Sequence, residues 1–157
     1  MTNKALTVGV AVIAVVVITL CIILAGPTVY QRIRAAQAAR RAELEKTVSD
    51  RVWYIRTAEF AFATLKGHAP TLRELQGSEF GVDLPPVTFW SDNELLCEGF
   101  HYSVLGGDWG VTVGAWPHQA DGKTPAFICT DSWQQGGSPN LRRIEDGNKP
   151  LEFEGVN

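Results

Sequence analysis

The chain has 157 residues, a formal net charge of −3 at pH 7, and three cysteines. With an anchor set aside, about 130 residues remain, enough for one modest domain with its own core. The charge is uneven: residues 28–66 carry eight Lys/Arg against four Asp/Glu, and residues 67–157 carry five against thirteen. An acidic C-terminal part argues against nucleic acid as a partner, because phosphate binding needs a basic face.

In chain order, the first signal is "ALTVGVAVIAVVVITLCIILAG", an apolar run from Ala5 to Gly26 relieved only by Thr7, Gly9 and Thr19. As a helix it would reach roughly 33 Å, the thickness of a hydrocarbon core. Its Val and Ile content favours a strand in water. In lipid, however, a lone strand leaves its backbone groups unpaired, whereas a helix satisfies them internally. The run predicts a transmembrane helix over residues 6–26, with lipid as its surroundings. A cleaved secretory signal fits less well, since its apolar region is typically ~7–15 residues and here the small residues Ala25 and Gly26 lead at once into Pro27. Lipid attachment at Cys21 fits less well again, because Leu20 precedes it.

After Pro27 the helical pattern resumes. The segment to Lys66 lacks Gly and Pro and places Leu44, Val48, Val52, Ile55, Phe62 and Leu65 on one side. Trp53 and Phe60 add a neighbouring stripe. Before Leu44 there is mainly Ala, Gln and Arg, with no strong face for a globular core. Residues 27–66 therefore predict a stem that becomes a core helix, with Gly26 and Pro27 as a kink.

Gly67 closes this helix, and a short turn of helix is expected from Pro70-Thr71. Three strand-like runs follow: "LLCEGFHYSVL", "WGVTVGAW" and "TPAFICT", with Asp121-Gly122 reading as a hairpin turn. A short closing strand is expected around Leu151 to Phe153. The fold class is α+β: one transmembrane helix extending into an amphipathic helix packed on a small antiparallel meander, residues 67–157 forming the β-rich head.

Cys97 and Cys129 are the cysteines outside the apolar run, and a pair in a small head beyond a membrane anchor suggests a disulfide in an oxidising compartment. The alternative is two unrelated buried thiols. Cys97, His101, His118 and Cys129 lack the paired-ligand spacing of a zinc site, so no metal or other cofactor is expected. His101 and Ser103 share a strand face without an identifiable acid. Asp92, Glu94 and Glu98 read as a charged loop and strand edge, and no catalysis is expected. Tryptophans 90, 109, 116 and 133 divide between core and surface; any exposed together would form a binding patch.

One long N-terminal helix, apolar then amphipathic, followed by a loop and a meander with a cysteine pair, resembles the type IV pilins and pseudopilins. "KALTV" is similar to the family's processing site, with Ala5 as the last leader residue, after residues 1–5, and Leu6 as the new N-terminus. Pro27 falls where the family has its helix proline. The pilin glutamate would fall at Val10, a departure that fits a minor or non-polymerising member of the family, and Gly9 beside it would permit close helix packing. The resemblance implies a structural subunit of a pilus or secretion apparatus in the bacterial inner membrane. It would assemble as a homo- or hetero-oligomer through other membrane or pilin-like helices. The arginines after the span argue for a cytoplasmic head, whereas the cysteine pair and the resemblance place it in the periplasm or outside. An accessory subunit of an unrelated membrane complex is the second expectation.

Overall fold

The computed structural model describes residues 3–80, 87–107, 110–132 and 139–154; of the side chains within its long helix, residues 3–13 and 21–27 are not described. Helix α1 runs Asn3–Lys66 and α2 Leu72–Gln76. Six strands follow: β1 Thr88–Ser91, β2 Glu94–Cys97, β3 Phe100–Gly107, β4 Gly110–Pro117, β5 Ala126–Ser132 and β6 Asn140–Ile144. They form one antiparallel sheet in sequential order. The chain divides into Met1–Glu43 and Leu44–Asn157, so the C-terminal part of α1 belongs with the sheet.

The transmembrane expectation over residues 6–26 is corrected: among the described residues, no helix is long and apolar enough to cross a membrane. The described apolar stretch, residues 14–20, is short, and the next described stretch soon carries Arg32 and Arg34. The expectations at Ala5, Leu6, Gly9, Val10, Gly26 and Pro27 lie outside the described side chains.

In the second unit, α1 buries Val48, Val52, Ile55 and Phe62, residues spaced four, three and seven apart on one helical stripe. Leu44 and Leu65, at the two ends of that stripe, are exposed, as are Trp53 and Phe60. The sheet meets the stripe with alternate residues, including Leu95, Tyr102, Val104, Val113 and Phe127. Gly67, at φ +79°, ends α1 in the left-handed conformation and donates its N–H to Ala63 O at 2.9 Å. Thr71 caps α2: its hydroxyl accepts from Glu74 N, and the Glu74 carboxylate accepts from Thr71 N.

"LLCEGFHYSVL" is two strands, not one. Glu98 and Gly99 both have positive φ, 50° and 81°, and Cys97 pairs with Phe100 across them, the backbone of a two-residue type I′ hairpin. The closing segment Leu151–Phe153 is a 3-10 turn, and the last strand lies earlier, at β6. Phe153 is buried on the sheet face opposite α1, with Trp116, Ala126 and Ile128. The slot it fills exists because residue 114 is glycine: a Cβ there would overlap the Phe153 ring.

The disulfide expectation is also corrected. Cys97 and Cys129 are free, buried thiols. Cys97 lies on β2 and Cys129 on β5, with β3 and β4 between them. Three strand spacings come to about 14 Å, well beyond the ~4.4–6.8 Å Cα separation a disulfide tolerates.

Candidate functional site

The polar chemistry of the sheet collects on the face away from α1. Strand alternation puts Tyr102 into the α1-facing core and His101 on the opposite side. On β2, Leu96 pairs with His101 and Glu94 with Ser103, so Glu94 is the diagonal neighbour of His101 on that face. Across β3 and β4, His101 pairs with Trp116, and the rings stack 7° from parallel with centroids 5.6 Å apart. His118 follows β4 immediately. Its backbone N–H donates to Gly99 O at 2.8 Å, which holds it over the β2–β3 turn.

These placements align three groups. Glu94 Oε1 lies 2.8 Å from His101 Nδ1, and His101 Nε2 lies 2.8 Å from His118 Nδ1. The carboxylate sits off the ring N–H direction, so its contact with His101 is close but not a well-formed hydrogen bond. Tautomers follow from the network. A carboxylate beside Nδ1 favours a proton there, leaving Nε2 as an acceptor. His118 must then donate from Nδ1. His101 is buried and His118 exposed, so the line runs from Glu94 through a buried ring to an imidazole at the surface. Burial lowers the His101 pKa, while the Glu94 charge opposes that shift.

Aromatic residues frame the line. Trp90 stands edge-on to His101, 86° between planes with centroids 4.5 Å apart, and to His118 at 78° and 5.6 Å. It nevertheless stays 58% exposed. Trp116 is buried, with the Lys149 ammonium 5.2 Å from its ring centroid. Trp109 and Trp133 lie outside the described residues.

No protein-family model, curated protein or solved structure matches the chain.

Among the other residues singled out in the sequence, Ser103 lies on the same face as His101. Its hydroxyl donates to Asn93 O at 2.9 Å, inside the β1–β2 turn. The Cys97, His101, His118 and Cys129 set does not gather, because the cysteines pack on the α1 side of the sheet and the histidines on the other. Among the described residues no three His, Cys, Asp or Glu converge to hold a metal ion. Glu94, His101 and His118 stand in a row, each ring nitrogen of His101 already facing a different neighbour.

Two features escape a reading of the sequence. The acid beside His101 is Glu94, hidden because the register depends on the Glu98-Gly99 turn. Glu59 occupies a position in the apolar stripe of α1 and is fully buried, with both carboxylate oxygens unpartnered. Burial pushes its pKa up to about 8. By contrast, Arg56 pairs with the buried Asp131, and Arg51 with Glu98 at 2.7 Å, so these charges on α1 each have a counter-charge on the sheet or its β2–β3 turn.

Proposed function

We propose that the chain is a structural, non-catalytic subunit of pilin-like type, assembling through the N-terminal part of α1 with the corresponding helix of another such subunit. One observation carries this reading. Val15, Val16, Val17, Ile18 and Leu20 are each more than half exposed, and consecutive residues point around the whole helix, not along one stripe. A helix that is apolar on every side is stable where other apolar surfaces surround it. Burying one such side chain against a neighbour contributes about 1.5–3 kcal/mol, so five in one short stretch favour association strongly. The stem from Thr28 to Glu43 adds alanines at 35, 36, 38, 39 and 42, small side chains that let a second helix approach closely. The test is site-specific photocrosslinking from Val16 in the full chain, which on this reading captures the same segment of a neighbouring helix.

A further inference from the structure

We propose that Trp90 and His118 form a binding site for a neutral carbohydrate, a pyranose ring seated on the indole and hydrogen-bonded to His118 Nε2. The site belongs to the sheet domain and is separate from the helix proposed to drive assembly.

Trp90 is held edge-on by two imidazoles, which fixes its orientation, yet over half of the residue faces solvent. An exposed, immobilised indole costs little ordering entropy when a ligand stacks on it. Trp116 cannot serve, because it is buried and Lys149 covers its ring. Next to the platform, the Glu94–His101–His118 line presents an exposed imidazole, a hydrogen-bonding partner for a hydroxyl, whose orientation is set from behind. Of the charged groups placed against these rings, Glu94 is a carboxylate beside His101 and Lys149 an ammonium over Trp116, opposite in sign. Opposite signs so close together give no field of one sign to draw a strongly charged ligand. An apolar face beside an imidazole held in place suits a ring with an axial C–H face and equatorial hydroxyls.

The test is saturation-transfer NMR on the full chain with maltotriose and N,N′,N″-triacetylchitotriose, and with 3′-sialyllactose as a charged probe. Transfer to the ring C–H protons of at least one neutral trimer is expected, with affinity falling roughly tenfold in Trp90→Ala and by a smaller factor in His118→Ala. Trp53→Ala, altering an exposed indole on α1, leaves binding unchanged. Trp90 is exposed enough that its replacement does not threaten the fold, and unchanged melting of the Trp90→Ala protein confirms this. No transfer to either neutral trimer, binding indifferent to Trp90→Ala, or a response to the sialylated probe alone overturns the proposal.

Discussion

Replacing Glu59 with methionine tests the most costly residue in the core. Glu59 is 0% exposed, neither carboxylate oxygen has a partner, and burial raises its pKa from the ordinary 4.5 to about 8. The folded protein therefore retains a proton that the unfolded chain releases. Stability is fully present below pH 4.5 and falls as pH rises through 8, by about 1.4 kcal/mol per pH unit. The loss amounts to about 3 kcal/mol at pH 7 and about 5 kcal/mol once pH exceeds the folded value. Methionine has similar reach, favours helix and carries no charge. Urea melts of wild type and Glu59→Met between pH 4 and 9 measure the difference. The variant is expected to be the more stable, with its advantage growing across that interval by several kcal/mol. Parallel pH profiles for the two proteins would show that Glu59 is ionised in the folded state, and would refute the reasoning.

Two further predictions follow from the sheet. Cys97 and Cys129 are buried thiols on different strands, their pKa values raised by burial, so both are expected to resist alkylation until the protein unfolds. Intact mass should then show two modified sheet-domain cysteines without prior reduction, and dithiothreitol should leave the melting temperature unchanged; a mass shift requiring reductant would restore the disulfide. Gly114→Ala puts a methyl group into the ring of Phe153 and is expected to cost about 1–3 kcal/mol. Near-ultraviolet circular dichroism should register the disturbance at Trp116, whose ring lies 5.5 Å from that of Phe153.

The helical stripe was legible because apolar side chains at three- and four-residue steps have few other uses; Val48, Val52, Ile55 and Phe62 are buried as the spacing requires. The turn at Thr71 was signalled by Pro70-Thr71, and the reciprocal cap from Glu74 is seen only in the fold. Strand boundaries were less visible. Glu98-Gly99 is a weaker turn signal than Asn-Gly, and missing it fused β2 with β3. With those strands fused, the register that sets Glu94 beside His101 had no basis, and neither did the three-strand separation of the cysteines. The disulfide expectation rested on compartment and cysteine number, whereas bonding is decided by distance. Glu59 was passed over because periodicity arguments score apolar residues and skip a carboxylate standing among them. The transmembrane expectation came from the hydropathy of the whole run, and among the described residues no helix sustains it.

Photocrosslinking from α1 tests the central claim of helix-mediated assembly most directly. A benzophenone side chain at Val16 in the full chain should yield crosslinked dimers whose peptides map to residues 14–20 of a second helix. The same probe at Leu151, which is 77% exposed on the sheet domain, should yield few or none. Crosslinks that arise equally from Leu151, or none at all from Val16, would contradict a protein built to assemble through its N-terminal helix.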